Sequence, residues 1–381
     1  MNQPTALPLQ QRLQWQQALA RRLRLPVALA AGLSCGFLIM CAVSTEPLRA
    51  FLILLTGALP RLHWSAGEGW QLSRLVRFGA VIEDTITLSL LGLAVLIPFR
   101  AKQFSLGADG QLFLGALAAT VVSLYLPGPW FVVLPLSLMA ACVTGFLWGS
   151  LPGLLKTRFQ ANEIVSTLML NIVAVQAYRW LVSGWLRDPS GGFIVTPFLP
   201  TSLQLPVLLV HTNVTVMLLA LPLLVWGTWL LLMRTTLGYE IRVVGQAPAF
   251  ALQAGLPVQR TVWLSMGLGG VLAALAGMHV SHGLLKRLPV DLPTGLGYEG
   301  LLVALLARCE PRAVPWAALM YAYLRTGALA MERSTDVSRE VVLVIQALVI
   351  LFLVAERIQP ALAAAWLRWR ARGGAGGRHG A

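Results

Sequence analysis

The sequence predicts an all-α fold, a polytopic transmembrane helical bundle of about ten membrane segments, and three observations carry that prediction. Hydrophobic residues fill 57% of the 381 positions against 12% charged, and mean hydropathy is +0.73, a balance that leaves no material for a charged soluble surface. Apolar runs of about 20 residues, the length that crosses the hydrocarbon layer, recur along the chain. The net charge of +14 lies in short stretches flanking those runs. That is the positive-inside pattern, not the basic tract with interleaved aromatics of a nucleic-acid binder.

In chain order the spanning segments are expected at 26–45, 79–99, 104–126, 130–153, 163–183, 206–233, 261–281, 313–331 and 339–357. A tenth, 297–308 (GYEGLLVALLAR), is too short in apolar residues to cross straight and reads as a half-helix or re-entrant segment. Residues 47–59 stop at Pro60 and read as an interfacial or partly inserted helix. No small-residue cleavage site follows the first apolar run before Glu46, so that run is expected to stay as a signal-anchor. Placing the N-terminus in the cytoplasm divides the loop Lys and Arg residues roughly two to one in favour of the inside, which puts both termini there. The organisation is then a cytoplasmic segment 1–25, a transmembrane domain 26–358 and a cytoplasmic tail 359–381, whose GGAGGRHGA end is expected to be disordered.

Three segments carry more than packing. Residues 161–171, ANEIVSTLMLN, place Asn162, Glu163, Ser166, Thr167 and Asn171 inside an otherwise apolar stretch. Such groups lose several kcal/mol of hydration in hydrocarbon unless they face protein or a watery path. At about 100° per residue they cover roughly half the helix circumference, which points to a translocation path or its gate. Residues 99–117, FRAKQFSLGADGQLFLGAL, set Asp109 and Gln111 among glycines at a helix start, which suits either tight packing beside an interfacial charge cluster or a wall of the same path. In 234–260, Gly245 and Pro248 bound a short helix expected over Ala247–Ala254 and ending at Gly255. That segment is either an ordinary connector or a docking element for a soluble partner.

Enzyme chemistry finds no support. The four cysteines, Cys35, Cys41, Cys142 and Cys309, are scattered without a CxxC pair, so neither a disulfide nor a metal site is expected. His279 and His282 stand at i and i+3 near the outer end of a helix with no third ligand nearby, which reads as an interfacial polar patch. No GxxxxGK[ST] loop occurs, so ATP hydrolysis of the P-loop kind is not expected in this polypeptide. An ion-coupled secondary transporter of a small polar solute remains the rival reading, with Glu163 and Asp109 as coupling carboxylates.

FRAKQFSLGADGQ, QANEIVSTLMLN, RTTLGYEIRVVGQAPAFALQAGL and GLGYEGLLVALLARCEP, in this order, resemble the permease subunits of bacterial ABC importers of the branched-chain amino acid and simple-sugar type. Within that type the chain is most similar to the branch paired with basic membrane lipoproteins, which imports nucleosides and related purines. The resemblance implies a type II ABC importer-like bundle in the bacterial inner membrane, with no cofactor of its own. It also implies a second permease subunit, a paralogue, two ATP-binding subunits that carry ATP and Mg, and an external substrate-binding lipoprotein. On the same resemblance Arg242, Gly245, Pro248, Ala251, Ala254 and Gly255 form the coupling loop to the ATPase. Asn162, Glu163 and Asn171 then lie near the path. The chain departs from the family's usual NIGAEGQ and GFDG at Ser105 and Asp109 and at Tyr298 and Glu299, and Glu83 and Asp84 have no counterpart in it.

Overall fold

The computed structural model describes residues 30–338 except 66–68, 74 and 209–211, together with 341–345, 347–348 and 351. The chain starts with α1 (Ala30–Val43) and α2 (Pro47–Thr56), then a hairpin of β1 (Arg61–Ser65) and β2 (Gly69–Ser73). The strands pair antiparallel with Trp64 opposite Trp70. Next come α3 (Leu75–Arg100), α4 (Ala108–Tyr125), α5 (Trp130–Phe159), α6 (Glu163–Gly184) and α7 (Met217–Arg234). The short helices α8 (Thr236–Gln246) and α9 (Pro248–Gln253) precede α10 (Val258–Met278), which runs on as a π-helix over His279–Leu285. Finally come α11 (Leu296–Leu306) and α12 (Val314–Glu332).

Among the described residues six helices are long and apolar enough to cross a membrane: α3, α4, α5, α6, α7 and α10 with its π-helical extension. The expectation of about ten segments is therefore corrected to a polytopic helical bundle with six, and each difference has a local cause. The run 206–233 becomes a helix only from Met217, because Val207 bridges Thr215 in a loop that folds back on itself. The segment 313–331 is helical, but Pro315, Tyr321, Tyr323 and Arg325 keep α12 out of the apolar class. At 1.5 Å per residue α11 reaches only about 16 Å, half the hydrocarbon thickness. Of 26–45, the described part is the short α1. The cytoplasmic ends expected at 1–25 and 359–381, and much of 339–357, lie outside the described residues.

Contacts divide the chain into two units, 58–326 and the pair of segments 1–57 and 327–381. In the larger unit α3, α4 and α10 form the centre, with 83%, 72% and 78% of their apolar windows buried, whereas α5, α6 and α7 have only 22% buried and keep a face outward. An apolar outward face suits helices whose solvent is lipid. The tightest seam joins α5 to α10. Gly145, Gly149 and Gly153 stand four residues apart on one face of α5 and meet Gly270, Met266 and Trp263, and a Cβ at Gly145 would collide with the Gly270 carbonyl. Small residues of this kind let two backbones approach where no hydrophobic driving force separates helix from lipid.

The smaller unit has its own apolar core of Met40, Leu54, Met331, Val337, Val342 and Ile345. Its polar fastening is Asp336, which accepts from Ser44 Oγ at 2.6 Å and from both N and Oγ1 of Thr45 at 2.8 Å. Those bonds hold the Asp336 carboxyl down at about 2.

Candidate functional site

The polar run 161–171 does not act as one surface. Asn162 is exposed and caps α6, its Oδ1 accepting from Ile164 N at 2.9 Å, while Ser166 Oγ donates back to Asn162 O at 2.9 Å. Both bonds satisfy groups at a helix start. One turn on, Thr167 and Asn171 are buried against the non-helical stretch between α3 and α4. Thr167 Oγ1 accepts from Leu106 N at 3.3 Å. Asn171 accepts from Gly110 N at 2.8 Å and donates to Leu106 O at 2.6 Å. Glu163 pairs with Lys156 Nζ at 2.9 Å, and the same ammonium donates to Gln103 Oε1 at 2.6 Å.

Asp109, buried in the first turn of α4, reaches α11. Its Oδ2 accepts from Gly295 N at 3.1 Å and its Oδ1 from Gly297 N at 2.6 Å. A carboxylate there meets the positive end of the α11 dipole and two N–H groups that have no partner within the helix. Gly295 adopts φ +100°, a left-handed turn that presents its N–H to Asp109. Gln111 is buried beside Gly107 and Gly149, where a Cβ on either glycine would stand 3.2 Å from its Nε2.

Two residues beyond Gly297, Glu299 opens the most highly charged place in the bundle. Arg325 Nη1 of α12 lies 3.1 Å from Glu299 Oε2 and 3.4 Å from Asp84 Oδ1 of α3. The Glu299 contact is an ion pair without hydrogen-bond alignment. Glu83, next to Asp84, is buried and its Oε1 has no hydrogen-bond partner among the described residues. Two carboxylates and one guanidinium thus meet within a membrane bundle, and the side chains of Asp84, Glu299 and Arg325 remain 24–28% exposed. Lipid is a poor neighbour for such groups, so their open side needs water, solute or another protein surface. Sequence reasoning noted Glu83, Asp84 and Glu299 as departures without giving them a place, and assigned Arg325 no role. Opposite charges inside apolar segments far apart in the chain were the signal that could have joined them.

Both rings of the histidine pair are buried within the bundle. His282 bonds Ser123 Oγ through Nε2 and Ser281 Oγ through Nδ1, each at 2.8 Å, and Ser123 continues to Ser137 at 2.8 Å. His279 Nδ1 lies 3.3 Å from Thr215 Oγ1. Among the described residues no group of three or more His, Cys, Asp or Glu is placed to hold a metal ion.

Between α7 and α10, α8 and α9 follow each other as two short helices. Pro248 starts α9, Ala251 is its buried contact, and Phe250, Leu252, Ala254 and Gly255 are exposed. Gly255 ends the turn at φ +74°. Gly245 lies directly on the backbone of Arg100. Arg242 folds back, its Nε donating to Gly238 O at 3.3 Å.

Comparison with known proteins agrees with this architecture. Residues 78–354 match the family described as the permease component of branched-chain amino acid transport systems. The chain is 31% identical over 335 residues to the guanosine ABC transporter permease protein NupP of Bacillus subtilis, covering 86% of this chain and 91% of that one. It is 32% identical over 341 residues to the glucose ABC transporter permease protein TsgB13 of Haloferax volcanii, covering 85% and 84%. It is 25% identical over 343 residues to the nucleoside ABC transporter permease protein NupB of Lactococcus lactis, covering 86% and 89%. No solved structure gives a significant match. With four ordered motifs, a polytopic bundle and a family match across most of its length, the chain belongs to the branched-chain amino acid-type permeases and is the membrane-spanning subunit of an ABC importer for a small polar solute.

Proposed function

We propose that this permease carries a nucleoside or purine base inward across a bacterial inner membrane, with Asp84, Glu299 and Arg325 facing the translocation path. The observation that carries the reading is the partial exposure of this ion group inside a lipid-facing bundle. The solutes named for the relatives, guanosine, glucose and nucleosides, share adjacent hydroxyls. Carboxylates accept from such hydroxyls and a guanidinium donates to them. Asn162, Glu163, Ser166, Thr167 and Asn171, with Asp109 and Gln111, shape the inner mouth below the ion group. Asp109 does so by seating the helix that carries Glu299.

In the assembled importer a second permease, a paralogue, faces this one across the path. Two ATP-binding subunits supply ATP and Mg, one of them receiving the loop from Arg242 through Gly245, Pro248, Ala251 and Ala254 to Gly255. A lipoprotein delivers the solute from outside, and both termini lie in the cytoplasm. The exposed Phe250 and Leu252 beside Pro248 support the docking role, since apolar side chains on a short loop helix suit a hydrophobic groove.

The test is uptake of radiolabelled guanosine by the reconstituted complex. ATP-dependent uptake is expected in the wild type, with a loss of about tenfold or more in Arg325→Gln, where two carboxylates lose their counter-charge. Uptake driven by an ion gradient without ATP, or unchanged in Arg325→Gln, would overturn the reading.

A further inference from the structure

Residues 101–107, between α3 and α4, form a strap gripped from two sides. On one side Gly245 of α8 is so close that a Cβ there would collide with the Arg100 carbonyl and stand 3.3 Å from Ala101 Cα. Backbone against backbone leaves no slack, so displacement of α8 must displace the start of the strap. On the other side Leu106 ties the strap to Thr167 and Asn171 of α6, and Asn171 also holds Gly110 in the first turn of α4. Between these two grips Lys156 of α5 links the strap to α6.

Lys156, in the last turn of α5, donates from Nζ to Gln103 Oε1 at 2.6 Å and pairs with Glu163 Oε1 at 2.9 Å. Gln103 is itself set by its Nε2, which donates to Ala101 O at 2.9 Å. The three side chains therefore join the strap, the end of α5 and the first residue of α6. Beside them opens a cleft of about 380 Å³, lined by Gln103, Lys156, Gln160, Val244 and Pro248 among others. Across it, Ala251 of α9 packs with Val244 of α8 and with Val262 and Met266 of α10, so α8 and α9 are joined through a shared apolar core. A partly exposed ion pair contributes little to stability, so its value here is in fixing relative position.

We propose that Lys156, Gln103 and Glu163 form a coupling latch in which Lys156 is a positioning residue, passing displacement of the α8–α9 pair to the start of α6. The latch rests on the importer reading and adds to it the route by which docking at α9 reaches the inner mouth. With the latch made, movement of α8 and the strap carries the α6 start with it. With the latch absent, the strap still moves but α6 is held only by Thr167 and Asn171, deeper in the helix.

The experiment uses the complete importer in proteoliposomes, reading ATP hydrolysis and radiolabelled guanosine uptake together. Lys156→Met is expected to keep hydrolysis within about twofold while guanosine moved per ATP falls about tenfold. Lys156→Arg should recover most of the ratio, and Lys156→Glu combined with Glu163→Lys should exceed Lys156→Glu alone. A ratio unchanged in Lys156→Met overturns the latch, as does a parallel loss of hydrolysis and uptake in an assembled complex. If Lys156→Met does not assemble, Gln103→Leu, which removes the acceptor for Lys156 together with the bond to Ala101 O, takes its place under the same criteria. A wild-type complex without ATP-driven uptake defeats the importer assignment and the latch together. Wild-type uptake with a kept ratio in the variants defeats the latch alone.

Discussion

Asn171 shows what a single side chain does in this bundle. Its amide accepts from Gly110 N and donates to Leu106 O, partners 61 and 65 residues away, so the strap and the first turn of α4 both depend on it. Asn171→Ala leaves two backbone groups unpaired in a buried setting, each worth about 1–3 kcal/mol, and should lower the thermal midpoint of the purified protein by several degrees. Ser166→Ala, which removes only a bond to Asn162 O near the helix start, should change stability by about 0.5 kcal/mol or less and leave the midpoint nearly unmoved. A midpoint equal in both variants would refute the difference in role. Spacing alone marked both residues as polar intrusions, but it could not separate them. Only the partner's position decides whether an intruding amide is a clamp or a free ligand.

Asp336 gives a pH dependence at the same scale. Its carboxyl is held at about 2, below the ordinary 3.8, chiefly by the Ser44 hydroxyl and then by Thr45. A depressed acid stabilises the fold above the unfolded value, so its contribution is full above 3.8 and is lost as pH falls toward 2. Asp336→Asn should flatten the fall in stability of the unit formed by 1–57 and 327–381 across that window. Thermal scans from pH 5 to about 2 would show it; an unchanged slope would contradict it.

At the scale of elements, the sequence placed helix starts and stops better than it judged crossings. Gly255 ends α9 in a left-handed turn, as a glycine after a short helix suggests, and Pro248 occupies its first turn. The overcount of membrane segments came from treating each apolar window as a rod through the bilayer. Ahead of α7, Val207 instead bridges Thr215, and α11 is apolar yet too short. Element-scale disruption is sharpest at close backbone contacts. Gly270→Leu wedges α5 from α10 at Gly145 and should abolish folded protein, while Gly227→Leu, with open space around it, should be tolerated. Monodispersity in detergent size-exclusion chromatography distinguishes the two. Gly245→Val, whose Cβ would meet the Arg100 carbonyl as closely, should likewise lower the yield of folded protein.

At the scale of the molecule, charge bias predicts sidedness. In a background lacking the four native cysteines, Ser190→Cys in the loop after α6 should react with a membrane-impermeant thiol reagent in intact cells. Gln253→Cys, at the end of α9, should react only after the cytoplasmic face is opened. The reverse pattern would invert the proposed orientation.

By itself the sequence determined that this chain lives in a membrane and which stretch of polar residues needed an explanation, through composition, hydrophobic length and local spacing, and its four ordered motifs carried the family resemblance. Tertiary structure alone decided which charges meet. Asp84, Glu299 and Arg325 come together from three separate helices, and Gln103 reaches Lys156 across 53 positions. The physical reason is that an ion in a low-dielectric bundle is defined by its counter-charge, and the counter-charge is chosen by packing, not by proximity along the chain.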